Sequence, residues 1–508
     1  MAHFGQDLSH WSVRRGLPRQ FVAAGLSSWP PRDRLVAAGM SANAIIWLRR
    51  DLRLGDHPAL QATLAAKQRP LFVYIDDPAG EGAWPLGAAS RAWLRHSLRA
   101  LDKELGQCGS RLILRAGDSL QVLQELCAES GAEHVVWNRR YEPAARERDS
   151  AIKAALSERG IEVKSFNGSL LFEPWTVLTK QDGPYRVFTP FWRQLEARWD
   201  SLSAAEPAPR TLPAPPELAS LLLDELIPVP SPRWDEGFFQ RDEPGERAAL
   251  KRCQTFLEKV KGYKEGRDYP AEDNTSRLSV HLAFGEISPR QILACAQSME
   301  LSFASCAAFF RELGWREFSY HLIYHFPQSA ESNLTDQLRA MQWESVEQDK
   351  LAAWQRGNTG IPIVDAAMRE LWQTGIMHNR CRMIVASLLT KNLGYHWRHG
   401  ADWFWDTLID ADLANNTQGW QWTAGTGADA APYFRVFNPV TQSRRFDPDG
   451  RYLRHWLPEL ADLPDDALHA PWEKRCIVSG YPSQPIVDLK SSREAALARY
   501  QKARNDAR

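Results

Sequence analysis

The chain has few cysteines, no excess of either charge and no long apolar run, and each shortage closes off a class of protein. Its seven cysteines (Cys108, Cys127, Cys253, Cys295, Cys306, Cys381 and Cys476) are scattered over 508 residues without a Cys-x-x-Cys pair. That argues against a disulfide framework, a zinc site or an iron–sulfur cluster, and for a reducing compartment. Lys plus Arg and Asp plus Glu both number 62, so any surface for a polyanion must come from local segregation of charge. No apolar stretch approaches the roughly 18 residues of a membrane span, which predicts a soluble, cytoplasmic protein with no membrane partner. No Gly-x-Gly-x-x-Gly follows the first strand-like run, so a conventional dinucleotide site there is not expected.

Tryptophan is what the chain has in abundance. Eight of its 21 tryptophans (Trp343, Trp354, Trp372, Trp397, Trp403, Trp405, Trp420 and Trp422) fall between residues 343 and 422. A single tryptophan is ordinarily core packing or a surface anchor; this density suggests a shared aromatic purpose.

Three regions follow an Arg-bearing, acid-poor segment at 1–42, read as an N-terminal extension. From 43 to 168 the runs AIIWLRR, PLFVYID, RLILRAG, HVVWNRR and IEVKSFNG alternate with helical patterns such as Leu94, Leu98, Leu101 and Leu105. This predicts an α/β domain with a parallel sheet covered on both faces. Residues 169–240, with RTLPAPPELASLL and IPVPSPRWDEG, read as a long linker. Residues 241–508 read as an all-helical domain that holds the tryptophan cluster.

Several stretches of the helical half could carry chemistry. Thr275, Ser276, Arg277 and Ser279 place three hydroxyls and a guanidinium ahead of an apolar run, which suits a diphosphate at a helix start and equally suits an N-cap. Glu312, Trp315, Arg316 and Ser319 share one face of a helix at spacings of three and four. Residues 371–401 contain Arg380, Arg382, Lys391 and Arg398 and no acid, an imbalance suited to a phosphate backbone or an anionic cofactor. Because these cations alternate with apolar residues, some are buried and need partners, and Asp410 and Asp412 are available. A divalent metal is the rival use of those two carboxylates, with Asp406 the one further acid nearby and no histidine beside it.

Taken together, NTSRLS, ELGWREF, GNTGIPIVDAAMRELWQTGIMHNRCRM, DADLANNTQGWQWTAGTGADAAPYFRVFNP and FDPDGRYLRHWLPEL resemble the photolyase/cryptochrome family of flavoproteins. The likeness is strongest to bacterial class I photolyases for cyclobutane pyrimidine dimers, and runs in order from about residue 43. It implies a non-covalent FAD in the helical domain, held by Tyr263, Thr275, Ser276, Arg277, Leu278, Ser279, Arg382, Asp410, Ala411, Asp412 and Asn416, with no metal. Arg382 would pair with Asp410, and Asn416 would sit beside the reactive flavin nitrogen. A flipped dimer would meet Glu312, Trp315, Asn379, Arg380, Met383 and Trp422, with Arg267 and Gln442 on DNA. Trp343, Trp397 and Trp420 would form a tryptophan chain for photoreduction of the flavin.

The resemblance also implies an antenna chromophore in the α/β domain. Ala144 and Ala145 stand where folate-binding relatives carry Asn-Glu, so a deazaflavin, methenyltetrahydrofolate or no antenna all remain open. The expected activity is light-driven repair of dimer-containing DNA by a monomer. The alternatives are a cryptochrome-type blue-light receptor, which often loses the pocket acid or tryptophan, and a six-four photolyase, which characteristically carries pocket histidines where this chain has Asn379 and Met383.

Overall fold

The computed structural model describes residues 42–335, 341–429 and 435–506. All but the last residue of the expected N-terminal extension, 1–42, lie outside the described residues.

Five strands, β1 (Asn43–Leu48), β2 (Arg69–Asp76), β3 (Leu112–Ala116), β4 (His134–Asn138) and β5 (Glu162–Phe166), pair in parallel in the order β3-β2-β1-β4-β5. They are the five apolar runs of the sequence. Alternation along each strand divides the side chains between two cores: Ile45, Trp47, Leu71 and Val73 face one, and Ile46, Leu48, Phe72 and Tyr74 face the other. Both faces are therefore covered, which is why β1, β2 and β4 read as continuous apolar runs; β5, at the sheet edge, buries only Val163. The crossovers carry helices α1 (Pro58–Ala65), α2 (Ala88–Gln107), α3 (Ser119–Ser130) and α4 (Pro143–Glu158).

Leu94, Leu98, Leu101 and Leu105 of α2 are buried as their spacing predicts, and their core continues into the helical half through Val280, Phe284, Ile376 and Ile409. The sheet is thereby packed against the helices that carry the site.

The segment expected as a patternless linker contains helix α5 (Phe188–Ala197), with Phe188, Phe191, Trp192 and Leu195 buried. These positions follow the i, i+3, i+4, i+7 stripe of a core-facing helix. They join a core with Cys253, Phe256, Phe309 and Phe318. The proline-rich stretches that follow dominate the segment and hide this helix in the sequence.

The helical half is built on α6 (Phe303–His325), α7 (Pro362–Thr374), α8 (Asn379–Ser387), α9 (Trp397–Thr407) and α10 (Leu413–Ala424). Among the described residues no helix is long and apolar enough to cross a membrane.

Candidate active site

A cavity of about 530 Å³ opens between α6, α8 and α10 and the segment around Ser276–Ser279, within the usual size range of small-molecule sites. Its polar floor comes from the Asp-Ala-Asp stretch. Asp410 accepts two hydrogen bonds from Arg382 Nη2, at 3.0 and 2.9 Å, while Arg382 Nε donates to the Met377 carbonyl at 2.8 Å. Asp412 is the N-cap of α10: its side chain accepts from the Asn415 N–H and from Asn415 Nδ2, both at 2.8 Å, and from the Tyr320 hydroxyl. Burial and then the Asp412 charge hold the Tyr320 hydroxyl well above its ordinary pKa, so it stays a donor. Both carboxylates thus have fixed donors, as the physics of buried charge requires. Among the described residues no group of three or more His, Cys, Asp or Glu gathers as a metal site.

Asn416, one turn into α10, donates from Nδ2 to the Ala401 carbonyl at 3.0 Å. This leaves its Oδ1, an acceptor, as the amide atom free for a bound group. Gln418 carries no signal of its own in the sequence. It lines the cavity, and its buried Nε2 has no hydrogen-bond partner among the described residues. An orphaned buried donor in a cavity wall points to a ligand acceptor. With Ser276 and Ser279 in the same lining, the donor set fits a flavin nucleotide.

Of the residues expected around the cofactor, Tyr263, Ser276, Leu278, Ser279, Arg382, Asp410, Ala411, Asp412 and Asn416 line the cavity. Thr275 and Arg277 do not. Arg277 has a positive φ of 54°, and its Nε donates to Asp242 at 2.8 Å, so its guanidinium pairs with the preceding segment. The Thr275 carbonyl accepts from Arg252 at 3.3 Å.

Arg267, Glu312, Trp315, Asn379, Met383 and Trp422 line the same cavity, from four separate stretches of chain. Arg267 Nη1 donates to Glu312 Oε1. Arg380 and Gln442 stand outside the lining: Arg380 pairs with Asp268 at 2.7 Å and covers the Phe446 ring at 4.3 Å, and Gln442 lies on the helix Pro439–Phe446 that carries Phe446.

Trp420 faces the cavity and rests against Gly400 of α9, where a β-carbon would come within 2.0 Å of the indole. Trp397, at the start of α9, is fully buried and donates from Nε1 to Asn333 Oδ1 at 2.8 Å. Trp343 is half-buried farther out. Each of the three is therefore less enclosed or more enclosed according to its place: cavity, core, periphery.

At the carboxyl ends of β1 and β2 a second cleft holds about 40 Å³. Glu81 pairs there with Arg140 at 2.6 Å and Arg148 at 2.8 Å, and the Arg49 and Arg148 guanidinia lie 4.2 and 5.0 Å from the Trp47 ring centre. The two arginines hold the Glu81 carboxyl down at about 2 against the opposing effect of burial. A polycyclic antenna does not fit this cleft as it stands.

The family model for DNA photolyase matches residues 44–215, and that for the FAD binding domain of DNA photolyase matches residues 309–502. The chain is 46% identical over 475 residues to a deoxyribodipyrimidine photo-lyase of Agrobacterium fabrum, covering 91% of this chain and 98% of that one. It is 37% identical over 481 residues to cryptochrome-2 of Arabidopsis thaliana, covering 90% of this chain and 78% of the relative. The crystal structure of a bacterial class III photolyase from Agrobacterium tumefaciens superposes with a TM-score of 0.87 at 44% identity, covering 93% of this chain and 99% of that one. That relative is of class III, whereas the motifs resemble class I. A sheet domain and an FAD-binding helical domain of the DNA photolyase type, matched along nearly the whole of such relatives, place the chain in the photolyase/cryptochrome family.

Proposed function

We propose that this enzyme repairs cyclobutane pyrimidine dimers in DNA, using light and a reduced FAD. The observation that carries the reading is the cavity itself, in which Glu312 and Trp315 of α6, Asn379 and Met383 of α8 and Trp422 of α10 converge above the Arg382–Asp410 pair and Asn416. When bound, the flavin supplies the electron that splits the dimer.

The chain's own residues bind and orient. Trp315 and Trp422 give aromatic walls for two fused pyrimidines, which leave the duplex at reduced cost because their pairing is already impaired. Glu312 and Asn379 offer hydrogen-bond partners to the base edges, and Arg267, Arg380 and Gln442 serve the DNA backbone. Asp410 keeps Arg382 in place beside the cofactor, Asp412 orders the start of α10, and Asn416 presents an acceptor oxygen. Trp420, Trp397 and Trp343 carry oxidising equivalents outward when the flavin is supplied oxidised; the bond from Trp397 to Asn333 favours a positive charge on that indole.

The domain roles follow: residues 43–168 as the antenna-type α/β domain, 169–240 as the connection and 241–508 as the FAD-binding and catalytic domain, in a cytoplasmic monomer. An antenna, whether deazaflavin or folate, would need a seat other than the charge-filled cleft beside Trp47.

A blue-light receptor is the second reading, favoured by the likeness to Arabidopsis cryptochrome-2. The deciding experiment is an absorption spectrum of the purified protein followed by illumination with a dimer-containing oligonucleotide. Flavin absorbance with restored pyrimidines supports the repair enzyme. Flavin photoreduction without repair of this lesion would replace it with the receptor, and repair of six-four photoproducts alone with the six-four enzyme.

A further inference from the structure

Trp397 and Trp343 are joined in the structure by a residue that the tryptophan chain does not include. The His396 ring centre lies 4.9 Å from that of Trp343, nearly edge-on at 65°, and 5.4 Å from that of Trp397, tilted at 30°. We propose that His396 is the bridge through which Trp343 passes an electron to oxidised Trp397. The inference rests on the tryptophan chain of the proposed function.

The local fold explains how the ring is held. His396 is the N-cap of α9, and its Nδ1 accepts the backbone N–H of Arg398 at 3.1 Å. With Nδ1 used as an acceptor, the proton of the neutral imidazole sits on Nε2. Burial, then the charges of His399 and Arg398, lower the pKa of His396 to about 4, so the ring is uncharged at neutral pH. An uncharged ring matters here because an imidazolium between the two indoles would repel the positive charge that has to cross.

The step balances simply. A bound, oxidised flavin would supply, when excited by light, the acceptor for one electron from the tryptophan chain, which leaves a cationic indole at Trp397. Trp343 then gives one electron to Trp397, which returns to the neutral indole while Trp343 becomes the cation. His396 is neither oxidised nor protonated. It is a positioning residue whose ring lies against both donor and acceptor.

The test is transient absorption of the FAD-loaded, oxidised protein, following the oxidised indole after a light pulse, with FAD content and circular dichroism recorded for each variant. His396→Ala should slow transfer from Trp343 and lower the yield of stable flavin reduction several-fold. His396→Phe, which restores a ring but cannot cap, should recover most of it. His396→Lys, which fills the space without a ring, should stay as slow as His396→Ala. Wild-type kinetics in His396→Ala, or equal loss in His396→Ala and His396→Phe, would overturn the bridge. Trp343→Phe separates this from failure of the underlying reading: if that variant photoreduces like the wild type, the tryptophan chain itself is misassigned and the bridge falls with it.

Discussion

Phe188 lies flat against Trp315, with ring centres 3.7 Å apart and planes within 7°. Phe188 is fully buried at the start of α5, whereas Trp315 is half-buried and faces the cavity. A helix outside the cavity thus sets the angle of one of its aromatic walls.

Replacing Phe188 with Leu should loosen that wall without emptying the core. The lost ring pair is worth about 0.5–1.5 kcal/mol, so affinity for a dimer-containing oligonucleotide should fall by up to about tenfold. Equilibrium binding beside flavin absorbance measures this, and unchanged affinity would show that Trp315 holds its angle alone.

Glu312→Ala should weaken repair and leave FAD content nearly intact. A flipped base left without its buried partner costs about 1–3 kcal/mol. The same change frees Arg267, which Glu312 engages, so binding of undamaged duplex should become steeper in salt by about 0.9 in log–log slope. Loss of the flavin instead would move Glu312 into the cofactor's surroundings.

The tryptophans should separate by role. Trp343→Phe should block photoreduction of oxidised flavin, because phenylalanine is much harder to oxidise, while repair by chemically reduced enzyme stays nearly unchanged. Trp422→Ala should do the reverse, keeping photoreduction and weakening dimer binding by roughly 1–3 kcal/mol. Repair lost in prereduced Trp343→Phe would put that residue in the lesion chemistry itself.

Stability should fall with rising pH because of Glu317. Its buried Oε2 accepts from the N–H groups of Leu171 and Phe172, at 3.0 and 3.3 Å, tying α6 to the chain after β5. Burial pushes the carboxyl up to about 7, against the opposing effects of Arg316 and those donors. The folded protein keeps this proton where the unfolded chain, ionising near about 4.3, has lost it, so stability declines between about pH 4.5 and 7 and levels above. Glu317→Gln keeps an acceptor and cannot ionise. It should remove the decline and be more stable than wild type at pH 8 by about 1–3 kcal/mol, measurable by urea unfolding at pH 5.5 and 8.

Much of this was legible in the sequence because it rests on periodicity. Strands buried on both faces gave continuous apolar runs, and α2 showed its leucine stripe. The stripe of α5 is equally regular, but ten residues ahead of proline-rich stretches are too few to stand out. Side-chain direction is a different matter. Arg277 sits among hydroxyls that face the cavity, yet a positive φ turns it to Asp242, and spacing along a chain carries no such information. Gln418 gave no signal in the sequence, because only the folded wall shows its amide nitrogen without a partner. The contacts of Phe188 and His396 were likewise invisible, since each depends on which stretches of chain meet.

Gly400 gives the arrangement around Trp420 a further meaning. With no side chain on α9 at that point, the indole lies directly on the helix backbone, and a single methyl group there would push it away. Electron tunnelling falls steeply with separation, so an alanine at this position would act as an electronic lesion before it acted as a steric one. The variant could fold, bind its cofactor and still be slow to recover from oxidation in the light.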